Sequence, residues 1–157
     1  FLPLLRNDLN NESARYNLSY ASMIMGINLS ISSTCLPHRI QYPIGALTNT
    51  PHAVGLASLY PAWLSHLTKF ADEKLNNCDR WISNFSDSIT SNSAINFIEN
   101  VKSFIKKINL DYCLEDLGIH EDEILNIAGQ VEGNLDHDPS YQNHKDLINI
   151  LHNSFSR

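Results

Sequence analysis

Charge is scarce in this chain, and several other signals are missing altogether. Only 18% of its 157 residues are Asp, Glu, Lys or Arg, below the usual quarter, and the formal net charge is -6. Lysine and arginine are outnumbered by acids and never form a basic stripe, which excludes nucleic-acid binding on electrostatic grounds. The cysteines, Cys35, Cys78 and Cys113, are odd in number, far apart and in no Cys-x-x-Cys arrangement, so they read as reduced thiols of a cytoplasmic protein. The glycines form no G-x-G-x-x-G behind a strand, so the chain shows no nucleotide-binding motif. Period-two alternation never persists, and β-branched clusters are lacking. The N-terminus has neither the order of a signal peptide nor an initiator methionine, so a fragment of a longer polypeptide is expected. A membrane span over Tyr16 to Pro37 is excluded by its many serines and asparagines.

What is present is helical punctuation on a single-domain length, and the class it predicts is all-α. From Tyr16 to Thr68 the only formally charged residue is Arg39, so this part reads as core and the remainder as its solvated cover. Asn10 or Asn11 caps a helix with Glu12 in its first turn, and that helix is apolar all round, which predicts burial all round. Ser32-Ser33-Thr34 ends it. Pro37 suits the first turn of the next helix, which Pro43 should bend, because proline cannot donate to the Arg39 carbonyl. Asn49-Thr50-Pro51 forms a turn with Thr50 as N-cap and Pro51 at the first helical position. A further helix then starts at His52 and carries a second bend at Pro61. Ser91 or Ser93 caps an amphipathic helix ending near Lys106 and Lys107. Gly118 closes a short turn, Glu121-Asp122-Glu123 opens a helix, and Asn143 caps the last one after a polar loop over 136–142.

The run from Pro37 to Leu56 carries the chemistry. It holds His38 and His52 in a nearly uncharged stretch, where two buried imidazoles are either metal ligands or core histidines bonded to carbonyls. Two ligands are also too few for a catalytic site, which usually takes three or more. His38 and Tyr42 lie on one helix face. Cys35, three residues before His38, reads as an inert thiol, and Arg39 either reaches an acidic substrate group or snorkels to the surface. His137 reads as part of a solvated turn, and His66, His120, His144 and His152 as surface or cap residues.

The pattern His38-x-x-x-Tyr42-Pro43-Ile44-Gly45-Ala46, a short turn, then Pro51-His52-Ala53 resembles the signature of the iron-containing (group III) alcohol dehydrogenases. Tyr20-Ala21-Ser22-Met23-Ile24-Met25-Gly26 is similar to that family's Ala-Ser-x-x-Ala-Gly helix, and the tail from Leu117-Gly118-Ile119 also matches. The resemblance implies a multi-helix bundle, like the C-terminal domain of the two-domain dehydroquinate synthase-like / iron-containing alcohol dehydrogenase fold. Residues 1–157 would then form one helical metal-binding domain, with the Rossmann-like N-terminal domain for NAD or NADP absent from this chain.

The resemblance further implies that His38 and His52 ligate a divalent metal, Fe2+ or Zn2+, with an aspartate and another histidine supplied by preceding sequence. Tyr42 takes the place of a second histidine that lines the substrate and nicotinamide pocket. It keeps a hydroxyl but not an imidazole that titrates near neutrality. Ala53 stands where glycine is usual. The implied parent protein interconverts a small alcohol and an aldehyde or ketone by hydride transfer, while the chain alone is inactive. The rival reading is a degenerate helical interaction module kept for homo-oligomerisation, which predicts an exposed apolar patch. A metal-dependent lyase or synthase on the same scaffold fits the histidines but fits the flanking motifs less well.

Overall fold

Helices α1 (Leu2–Asn7) and α2 (Glu12–Ile31) lead into α3 (Leu36–Thr48), α4 (His52–Ser83), α5 (Ala94–Lys107), α6 (Ile124–Gly129) and α7 (His144–Phe155). The structure is a computed structural model that describes residues 1–83 and 93–156, and among these residues there is no strand. Short 3-10 turns at Glu115–Leu117 and Glu121–Glu123 connect α5 to α6. The helix starts obey local chemistry. Asn11 Oδ1 accepts from the Ala14 amide at 2.9 Å, and Ser93 Oγ accepts from the Asn96 amide at 3.1 Å. Ser91, the other candidate cap, lies outside the described residues. Asn143 and Asp146 form a reciprocal capping box at the start of α7.

Two apolar clusters share α4. The larger joins Leu36, Ile40 and Ile44 of α3 to Leu59 and Ala62 of α4, Ile124 and Ile127 of α6, and Leu147, Ile150 and Leu151 of α7. The smaller joins Leu64, Leu67, Ala71 and Leu75 of α4 to Ala94 and Ile98 of α5, and Trp63 packs against both. Helix α3 therefore lies over the main core with Leu36, Ile40 and Ile44 at i, i+4 and i+8, while Gln41 is buried on the side toward α4 and Tyr42 stays exposed.

Several expectations are corrected by tertiary packing. Helix α2 is not buried all round: only Ala14 is, while Tyr16 is 73% and Ile31 82% exposed. Among the described elements only α1 packs extensively along it, so its apolar side chains find no core within these residues. Helix α4 runs through Pro61, and its break falls instead at Ala71, whose φ of -142° and ψ of 35° are non-helical. The carbonyl of Pro51 accepts from Gly55 N at 3.1 Å, so Pro51 precedes the first helical residue, and Thr50 turns back to Thr48 rather than capping.

The loop over 136–142 is not simply solvated, because Asp138 and Ser140 are buried within it, although His137 is exposed. Asp138 Oδ2 accepts from the Leu36 amide at 2.8 Å and from Trp63 Nε1 at 3.2 Å, while its Oδ1 accepts from the Ser140 amide at 2.9 Å. Cys35 stands at the N-cap of α3 without a side-chain capping bond, so a residue from the far end of the chain satisfies the start of the helix that carries His38.

His66 is a core residue rather than a surface one, and its Nε2 lies 3.1 Å from Asp146 Oδ1. Burial acts to raise the Asp146 carboxyl, but amide donors from Gln142 and Asn143, together with His66, outweigh it and hold the group below the ordinary aspartate range. A depressed carboxyl contributes stability above its unfolded value, about 3.9, and loses it as pH falls through the lower folded value. Urea unfolding across pH 7 to 2 should therefore show stability falling below about pH 4, and Asp146→Asn should flatten that fall while costing about 1–3 kcal/mol at pH 7. An unchanged acid profile in the variant would refute this assignment.

Candidate metal centre

The candidate site forms where α3 and α4 cross beside the turn that joins them. Asn49 ends α3 in the left-handed region at φ 55°, and the chain enters α4 within three residues, so His38 and His52 face each other. His52 Nε2 stands 3.2 Å from His38 Nδ1, with ring centroids 5.2 Å apart. Tyr42 stacks near His52 at 6.4 Å between centroids, with the rings inclined by 20°. All three residues singled out from the sequence meet in one cluster.

Their burial differs from the expectation. His52 and Tyr42 are exposed and His38 is half-buried, so the pair lies at the surface of the core rather than inside it. Burial, His52 and Arg39 push the His38 imidazole below the ordinary histidine range, which favours the neutral form that a metal requires. The geometry suits a shared ion. Two nitrogens bound at about 2.0–2.1 Å with a tetrahedral angle stand about 3.3 Å apart, close to the separation found here. Among the described residues no group of three or more His, Cys, Asp or Glu side chains could hold a metal ion. The chain thus presents two nitrogens of a possible ligand set.

Arg39 neither reaches into the pair nor snorkels freely. Its guanidinium packs on Gly133, where a Cβ would come within 3.2 Å of Nη1, and its Nε is buried with no hydrogen-bond partner. Cys35 faces the hydroxyl of Tyr60 at 3.9 Å, and burial pushes both the thiol and the phenol upward, which leaves the thiol inert.

Sequence reasoning overlooked Gln41. It is 4% exposed, and its Oε1 makes a short hydrogen bond with His52 Nδ1. Its side chain fills the helix crossing between two glycines. A Cβ at Gly45 would lie 2.8 Å from Gln41 Nε2, and one at Gly55 would lie 2.8 Å from Gln41 Cγ. The signal available in the sequence was a glutamine on the same stripe as Pro37 and Ile44, flanked by glycines on both helices. Gly55→Ala should cost about 1–3 kcal/mol, because it strikes the root of the side chain. Gly45→Ala should cost less, because it strikes only the amide end, whose lost bond to His52 costs about 0.5–1.5 kcal/mol and is offset in part by about 0.4–1 kcal/mol from a less flexible unfolded chain. Equal losses in urea unfolding would contradict this picture of the crossing.

Comparison with known proteins follows the same fold. A family model described as "Fe-containing alcohol dehydrogenase family, C-terminal" matches residues 1–155. The 1,3-propanediol dehydrogenase of Citrobacter freundii is 24% identical over 148 residues, which cover 92% of this chain and 38% of that protein. The probable NADH-dependent butanol dehydrogenase 1 of Bacillus subtilis is 23% identical over 137 residues, 84% of this chain and 35% of its own length. The chain thus spans well under half the length of these relatives. An archaeal halo-thermophilic alcohol dehydrogenase from a Red Sea brine pool shares the fold with a TM-score of 0.85 and 21% identity, over 98% of this chain and 40% of that one.

Proposed function

Because the chain belongs to the Fe-containing alcohol dehydrogenase family, as its C-terminal domain, we propose that it is the metal-binding half of an oxidoreductase. The reaction is the interconversion of an alcohol and an aldehyde or ketone with NAD or NADP. The observation that carries this reading is the opposed nitrogen pair of His38 and His52, at a separation that one ion can bridge. Fe2+ and Zn2+ both suit imidazole, so the site accepts either by ligand chemistry. An aspartate and a further histidine from a Rossmann-like domain preceding this one complete the ligand set and bring the nicotinamide. When bound, the ion supplies Lewis acidity that polarises a carbonyl or lowers the pKa of an alcohol.

The residues of this chain orient and select. His38 and His52 offer ring nitrogens from two helix starts, and Tyr42, stacked near His52, lines the substrate side with a hydroxyl that donates or accepts a hydrogen bond. Two imidazoles leave most of the coordination shell to water, so the chain alone binds metal weakly and is inactive. Among the described residues no helix is long and apolar enough to cross a membrane; the cytoplasmic setting proposed here rests on the three free cysteines.

One observation favours the second reading, a helical interaction module: the exposed apolar flank of α2, including Tyr20, Met23 and Ile27. The histidines separate the two readings. In a protein carrying both domains, His38→Ala and His52→Ala should each lower bound metal and alcohol oxidation by more than the roughly 10–100-fold that an outer hydrogen-bond partner costs. Full activity with His52→Ala would remove the ligand assignment. Tight zinc binding by the chain alone, abolished by His38→Ala, would show that its own residues complete the site.

A further inference from the structure

We propose that Gln41 is a positioning residue for the metal centre, holding His52 in the tautomer whose Nε2 lone pair faces His38. This rests on the reading of His38 and His52 as ligands. An imidazole coordinates through one nitrogen only if the proton sits on the other, and the hydrogen bond at that other nitrogen decides where the proton stays. Gln41 Oε1 is a pure acceptor, so the nitrogen that it meets, Nδ1 of His52, carries the hydrogen. Nε2 is then the nitrogen left free to ligate, and it points at His38 Nδ1 3.2 Å away.

The surroundings make this a constraint rather than a passing contact. The His52 ring is exposed, and water on an exposed ring serves either nitrogen. The amide of Gln41 serves one, because its side chain is buried in the crossing, in space that a Cβ at Gly45 or Gly55 would invade. An amide is costly to bury unless it is bonded, whereas an apolar side chain of the same length would fill this crossing without that cost. The polar choice is explained by the bond to His52. The two glycines belong to the same device, since each supplies space that the amide needs in order to reach Nδ1.

The test uses the whole chain and zinc alone. Nitrogen-15 correlation spectra of the His52 ring, recorded without metal, should show the proton on Nδ1. Gln41→Met, similar in length but without the acceptor, should redistribute it to both nitrogens and weaken zinc binding about 10–100-fold. Gln41→Glu keeps an oxygen in place and should restore both the tautomer and the affinity. Should the methionine variant fail to fold, Gly45→Ala offers a second route, because it displaces only the amide end and should blur the tautomer in the same way. A His52 proton on Nε2 in the unaltered chain overturns the proposal, as does a Gln41→Met variant with unchanged tautomer and zinc affinity. His52→Ala distinguishes the two levels: if it leaves zinc affinity untouched, the ligand reading itself falls. If it abolishes binding while Gln41→Met does not weaken it, only the role of Gln41 is lost.

Discussion

A buried amide wedged between two glycines sets the distance between α3 and α4, and the candidate site depends on that crossing. Gln41 fills the space that Gly45 and Gly55 leave, and its oxygen reaches the ring of His52. The two glycines, lacking a Cβ, leave the room that this side chain occupies between the helices. The crossing brings the first turns of α3 and α4 together, and with them His38 and His52. The short turn through Asn49 keeps the two helices in register.

Two buried acids anchor these helices to the C-terminal part of the chain. Asp138 satisfies the amide at the start of α3 and the indole of Trp63, and Asp146 binds His66 of α4 while capping α7. Both groups are polar, buried and multiply bonded, the condition under which such groups specify one arrangement instead of merely costing energy. The proposed ligand pair is therefore presented by elements whose positions are determined from outside the pair, which would suit a site that holds its geometry before a metal arrives.

The apolar surface of α2 and the shortage of ligands point in one direction. A helix that is apolar all round needs partners on several sides, and among the described residues only α1 packs extensively along it. A site with two imidazoles needs further ligands, and the relatives that match this chain are more than twice its length. Both features agree with the proposed reading of this chain as a domain that works against another surface, in the interaction reading as well as in the catalytic one.

The sequence by itself determined the helical class, the cap at Asn143, the caps at Asn10 or Asn11 and at Ser91 or Ser93 to within a choice of two, the turn at Asn49, and the motif that holds His38, Tyr42 and His52. These rest on neighbours a few residues apart, where periodicity and capping chemistry leave a direct trace. Only the tertiary structure decided that α2 lies bare, that α4 breaks at Ala71 and not at Pro61, and that His66 is buried against Asp146. It alone placed Asp138 on the Leu36 amide, 102 residues away, and Gln41 between glycines of two helices. Contacts of that kind depend on which faces meet after the chain has folded, and a pairing between residues remote in sequence has no local period to read.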